Sequence, residues 1–258
     1  MPLLELHDVS VVFGGLAAVN HVSLSAEEGM VTGLIGPNGA GKTTMIDVIT
    51  GLVPIASGSI LFEGNRIERT APHRRVLRGL SRTFQSLELF EDLSVRDNLQ
   101  VAAERPAWWS PFVGAVLPRR DEPENLPWVL DTLGLKGAED RMPSELSHGG
   151  RRRLGIARAL VARPRLLLLD EPAAGLDTKE SAQLGEQIRR LPELGTSIML
   201  IDHDMSLVLG ICDTISVLDF GKVIASGTPA EIRGNERVIQ AYLGAEAEAA
   251  APKVESGT

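Results

Sequence analysis

A chain of 258 residues with 43% hydrophobic side chains can bury a sizeable core, as one large domain or two small ones. Its formal net charge of −8 argues against coating a nucleic-acid backbone, and its lone Cys212 excludes an intramolecular disulfide and fits a reducing compartment. No apolar run reaches the roughly 18–20 residues that cross a bilayer, and "MPLLELHDVS" lacks the charged and apolar parts of a leader, so a soluble cytosolic protein is expected.

"LLELHDVSVVF", "HVSLSAEEG" and "GSILFEGNRI" alternate apolar and polar residues, which predicts strands of a small antiparallel sheet. "VTGLI" (31–35) and "RLLLLD" (165–170) are almost continuously apolar, as strands buried on both faces of a parallel sheet are. "TSIMLID" (196–202) and "ISVLDFGKVIASG" (215–227) add further strands, the latter bent at Gly221. Helices are predicted over 42–53, 72–80, 123–134, 150–163, 179–194 and 204–212. Alternating strands and helices predict an α/β fold with chemistry at the C-terminal ends of the parallel strands. Residues 86–145 carry little strand signal and predict a mostly helical inserted subdomain, including an excursion around Trp108 and Trp109. "GAEAEAAAPKVESGT" predicts a disordered tail over 244–258.

Two motifs carry chemistry. "GPNGAGKT", Gly36 to Thr43, follows the strand "VTGLI" and opens a helix, the context that a phosphate-binding loop requires. Glycines let the backbone wrap a phosphate chain, and its amides and the helix N-terminus supply positive potential. Lys42 reaches the β and γ phosphates, and Thr43 offers its hydroxyl to Mg²⁺. "LLLLDEP" then places Asp170 at a strand end, where it can hold the magnesium, with Glu171 aimed differently because side chains alternate along a strand. Glu171 is thereby placed to polarise a water for in-line attack on the γ-phosphate. "LDFG" (218–221) imitates a kinase metal motif, but no HRD precedes it, so it is assigned to a strand–turn–strand.

With these motifs the chain resembles the ATP-binding subunits of ABC transporters over about residues 4–243, with the helical subdomain at about 86–165. That resemblance implies a P-loop α/β fold, ATP and Mg²⁺ as ligands, and roles for further residues. The nucleotide would lie on Gly36, Pro37, Asn38, Gly39, Ala40, Gly41, Lys42, Thr43 and Thr44, with Phe13 of "VVFGG" stacked on adenine. Gln85 in "RTFQ" would join Thr43 and Asp170 at the metal and link the site to a membrane partner. His203 in "LIDHDM" would contact the γ-phosphate beside the catalytic Glu171, and Asp177 in "AAGLD" would meet a facing subunit.

"LSHGG", Leu146, Ser147, His148, Gly149 and Gly150, holds the place of the family's signature, which closes over ATP held by a second subunit. His148 stands where the pattern has glycine, and Gly150 where it has glutamine. A serine hydroxyl, glycine amides and a helix N-terminus together make an anion site. Arg151, Arg152 and Arg153 follow at about 100° per residue, so they fan around the helix and form no duplex-binding stripe.

"FGGLAAVNHVSL", "GLSRTFQSLELFEDLSVRDNL" and "RVIQAYLGAEA" are most similar to the LivG-type ATPases of branched-chain amino acid importers. The resemblance implies two permease subunits, a second ATPase subunit, an extracytoplasmic solute-binding protein and a peripheral place on the cytoplasmic face of the plasma membrane. Nucleic acid is not an expected partner. An ABC exporter ATPase, for lipopolysaccharide or a drug, is the alternative within the same chemistry, and a soluble non-transport ATPase is a more distant one.

Overall fold

A computed structural model describes residues 2–83, 88–103 and 122–250, with side chains to 243. Gln85, Trp108, Trp109 and residues 251–258 lie outside the described residues. The chain opens with β1 (Pro2–Phe13), β2 (Leu16–Glu27), β3 (Val31–Ile35) and α1 (Lys42–Thr50), then β4 (Ser57–Phe62) and β5 (Asn65–Arg66). It continues through α2 (Pro72–Leu77), β6 (Leu80–Arg82), α3 (Val95–Ala103), α4 (Leu126–Thr132) and α5 (His148–Val161). The second half holds β7 (Leu166–Asp170), α6 (Thr178–Arg189), β8 (Ser197–Ile201) and α7 (Met205–Ile211). A hairpin of β9 (Thr214–Asp219) and β10 (Lys222–Gly227) leads to α8 (Pro229–Arg233) and α9 (Glu236–Ala250).

Strands β2-β1-β4-β5 form an antiparallel sheet, and β10-β9-β3-β8-β7-β6 form the main sheet, parallel except for β10. The apolar runs explain the layering. In β7, Leu167 and Leu169 enter one core with α5, α6 and α7, while Leu166 and Leu168 enter a second core with β1, β2 and α1. Period-two alternation persists in a strand with no polar residues before Asp170, because both faces are covered. At the β9–β10 turn, Phe220 (φ 41°) and Gly221 (φ 72°) both take left-handed backbone, as a two-residue type I′ hairpin demands.

Several expected boundaries shift. The helix expected over 72–80 stops at Leu77, because Gly79 turns the chain at φ 94° into β6, which pairs in parallel with β7. The helix expected over 179–194 ends at Arg189, and a 3₁₀ turn (Leu191–Leu194) follows where Pro192 removes a donor. The expected disordered tail is helical as far as Ala250. Alanine and glutamate are strong helix formers, and Asn235 accepts from the amides of Arg237 and Val238 at its start. Within the inserted segment α3 has no counterpart among the expected helices, although Ser94 and Asp97 sit at capping spacing. The Asp97 amide donates to Ser94 Oγ at 3.1 Å.

Candidate functional site

The phosphate loop hangs between β3 and α1 and is held by backbone. A side chain on Gly36 (φ 154°) would place its Cβ 2.0 Å from the Leu218 carbonyl oxygen, so only glycine fits against β9. Gly221 N donates to Ala40 O at 2.9 Å and Asn20 N to Gly221 O at 2.8 Å, tying the β9–β10 turn to the loop and to β2. At the other end of α1, the buried Arg75 donates from Nη1 to the carbonyls of Val48 and Ile49, both at 2.8 Å. A cation on the last carbonyls of the helix satisfies its orphan acceptors and complements its dipole.

Lys42, at the first turn of α1, is buried and donates from Nζ to Gly36 O (2.7 Å) and Pro37 O (2.9 Å). Burial lowers the pKa of its ammonium, and the charges of Glu171, Asp170 and Asp202 act in the opposite direction. The loop floors a cavity of about 450 Å³ that Lys42, Thr43 and Thr44 share with Leu16, Glu171 and Phe220. Phe13 lies at the tip of the β1–β2 hairpin, opposite Leu16 and half-exposed, and is not among the residues lining this cavity. Leu16 and Phe220 line this cavity, and no motif in the sequence names them. Phe220 carried a signal, because a bulky residue at a two-residue turn is costly unless something uses it.

Asp170 ends β7 with its carboxylate largely buried; burial raises its pKa against the hydrogen bond and charge of Arg82. Arg82, on β6, donates from Nη2 to Asp170 Oδ2 at 2.8 Å and from Nη1 to Asp47 Oδ1 of α1 at 2.6 Å. One guanidinium thus joins the helix after the phosphate loop to the strand-end carboxylate, and nothing in the spacing of "SRTFQ" announces it. Arg82→Ala is expected to cost the nucleotide-free chain about 3–5 kcal/mol, because it strands a buried carboxylate. Urea unfolding measures this, and a loss below about 1 kcal/mol would mean that solvent screens the pair.

Glu171 leaves the strand with φ 47°, and its amide donates to Ile201 O at 2.7 Å. Its aim therefore comes from a left-handed residue after β7 rather than from alternation along it, a strained backbone of the kind that collects at working sites. The His203 ring is exposed, with Nδ1 3.7 Å from Glu171 Oε1 and 3.5 Å from Asp202 Oδ1. Asp202 is buried, which raises its pKa, and its Oδ1 accepts from the amides of His203 (2.8 Å) and Asp204 (3.0 Å). These bonds fix the chain direction around His203, and Asp204 then caps α7.

The expected signature lies elsewhere. None of Leu146, Ser147, His148, Gly149 and Gly150 lines the phosphate-loop cavity. Ser147 caps α5 by accepting from Gly150 N at 3.1 Å. Asp177 caps α6, accepting from Glu180 N at 2.8 Å, so in this state its carboxylate serves its own helix. Arg151 Nη1 donates to Glu91 Oε2 at 3.1 Å, so a carboxylate of the same chain offsets the dipole penalty of a cation near the start of α5.

Residues 19–174 match the family model for ABC transporter, and residues 222–248 match the model for branched-chain amino acid ATP-binding cassette transporter. The chain belongs to the ABC transporter ATP-binding family. It is 43% identical to the high-affinity branched-chain amino acid transport ATP-binding protein LivG of Salmonella typhimurium, over 94% of this chain and 98% of that one. Identity to the corresponding protein BraF of Pseudomonas aeruginosa is 41% at the same coverage. The lipopolysaccharide export system ATP-binding protein LptB of Escherichia coli is 33% identical, over 95% of this chain and 98% of that one. In structure the cassette is similar to MJ1267, an ATP-binding cassette of an ABC transporter in its ADP conformation. The TM-score is 0.83 with 30% identity, over 95% of this chain and 99% of that one. As a member of this family the cassette binds nucleotide and hydrolyses ATP. Among the described residues no helix is long and apolar enough to cross a membrane.

Proposed function

We propose that this cassette powers uptake of branched-chain amino acids from the cytoplasmic face of the plasma membrane. It would act with two permease subunits, a second ATPase chain and an extracytoplasmic solute-binding protein. The observation that carries the reading is the C-terminal segment 222–248, which matches a branched-chain amino acid cassette model and lies beyond residues 19–174, the stretch that the general ABC transporter model matches. Identity to LivG and BraF above that to LptB points the same way. A groove of about 280 Å³ lined by Leu52, Val76, Ala102 and Ala159, between α2 and the helical subdomain, suits a permease segment.

For catalysis we assign Glu171 as general base. It takes a proton from the attacking water as the water oxygen bonds the γ-phosphorus and the bond to the β–γ bridging oxygen breaks, releasing ADP. Lys42 and the loop amides hold the β and γ phosphates, and His203, beside Glu171, reaches the γ-phosphate. Phe13 meets the adenine once a base extends beyond the cavity. Mg²⁺ would be held by the Asp170 carboxylate at the end of β7, the Thr43 hydroxyl at the start of α1 and, from outside the described residues, Gln85, with waters and phosphate oxygens completing its shell. When bound, the ion supplies charge neutralisation on the phosphate oxygens.

The test is copurification from native membrane, followed by transport in the reconstituted complex. ATP-dependent uptake of leucine, isoleucine and valine is expected. Outward movement of substrate would replace the importer reading with the exporter one, and active ATP turnover without uptake of any of the three would overturn the branched-chain amino acid assignment.

A further inference from the structure

We propose that His148 is a positioning residue that locks the signature segment onto the 173–177 loop of its own chain. The two stretches that face a second subunit then move as one body. His148 is the first residue of α5, directly after the cap Ser147. Its Nε2 lies 3.5 Å from Ala174 O, and a Cβ built on Gly175 (φ 78°) would come within 3.0 Å of the same nitrogen. The ring therefore fills the space against a residue that has no side chain. The next residue seals the same contact. A Cβ on Gly149 would lie 3.0 Å from Glu180 Oε1 in the first turn of α6 and 3.6 Å from Leu176 Cδ2.

Helices α5 and α6 thus meet start to start. Ser147 caps one and Asp177 the other, and the His148 ring sits between the signature and the loop that leads to Asp177. Glycine at 148 would remove the ring and leave the close approach of Gly149 to Glu180 and Leu176. The clamp itself is an in-chain contact; its use in turnover rests on the head-to-tail pairing of two ATPase subunits.

Hydrogen exchange on the full-length nucleotide-free chain tests the clamp without that pairing. The Leu176 amide is bonded to Ala173 O at 3.0 Å, so its exchange reports the order of the loop. In His148→Gly, exchange at 174–177 is expected to rise about tenfold, with residues 36–43 unchanged, and His148→Phe should restore most of the protection. Unchanged exchange in His148→Gly, or an equal rise across the phosphate loop, overturns the clamp.

In the assembled transporter, His148→Gly should lower kcat several-fold at an unaltered KM for ATP. Asp177→Ala should cost less in that background than in the wild type, as residues of one unit do. If His148→Phe restores protection but not kcat, the imidazole acts on nucleotide and the proposal fails. Loss of ATP-dependent subunit association in the wild type would instead remove the head-to-tail reading and leave the exchange result standing.

Discussion

Lys42→Ala is expected to weaken ATP binding by at least about 10²-fold and to reduce turnover to background. The ammonium sits within hydrogen-bond reach of two loop carbonyls, Gly36 O and Pro37 O, and faces the cavity beside Glu171. Hydrogen bonds to a charged group contribute about 1.5–3 kcal/mol each, so losing two contacts to phosphate oxygens is worth roughly 10²–10⁴ in affinity. Titration calorimetry with ATP measures the first effect and phosphate release the second. Lys42→Met, which keeps the stem, separates loss of charge from collapse of the loop and should be equally inactive. Wild-type turnover in either variant would remove the phosphate-loop assignment.

Glu171→Gln is expected to leave ATP affinity within about threefold of wild type and to lower kcat by about 10²–10⁴, the range a positioned general base supplies. The amide is isosteric with the carboxylate and preserves the Glu171 N–H to Ile201 O bond, so the strained turn after β7 should survive intact. An unchanged unfolding midpoint would confirm that the fold is not the cause. The protein would then accumulate with ATP bound, which single-turnover quench reads directly. Normal hydrolysis in this variant would mean that another group removes the proton. Among the described neighbours His203 is then the first to test, since its Nδ1 lies 3.7 Å from the Glu171 carboxylate.

Much of the architecture was legible because covered strands and phosphate loops leave strong local marks. The runs "VTGLI" and "LLLLD" could be read as doubly buried strands, and "GPNGAGKT" allows little but a strand-to-helix phosphate loop. The β9–β10 hairpin followed from Gly221 and from the absence of the kinase motif's companions. Elements whose existence depends on distant partners were not legible. Strand β6 is three residues long and exists because β7 offers it an edge, so no periodicity can reveal it. Helix α9 continues past 243 because helix-forming residues extend a start that Asn235 caps, a local signal outweighed by the small-residue composition of the tail.

The same division runs through the site. Local patterns in the chain single out the candidates for its chemistry: a glycine-rich loop ending in Lys42 and Thr43, a strand-end Asp170 followed by Glu171, and a His203 after another strand. Each is a short-range pattern in which neighbouring residues must act together. Tertiary structure decided what those residues face. Arg82 is 88 residues from Asp170, yet one guanidinium binds it and Asp47 together. Phe220 and Leu16 reach the phosphate-loop cavity only because two hairpins converge there. His148 reads as a defect in "LSHGG" until Gly175 of another loop leaves room for its ring. The physical reason is common to all three: a charge partner or a packing neighbour is chosen by proximity in space, and spacing along the chain carries no record of it.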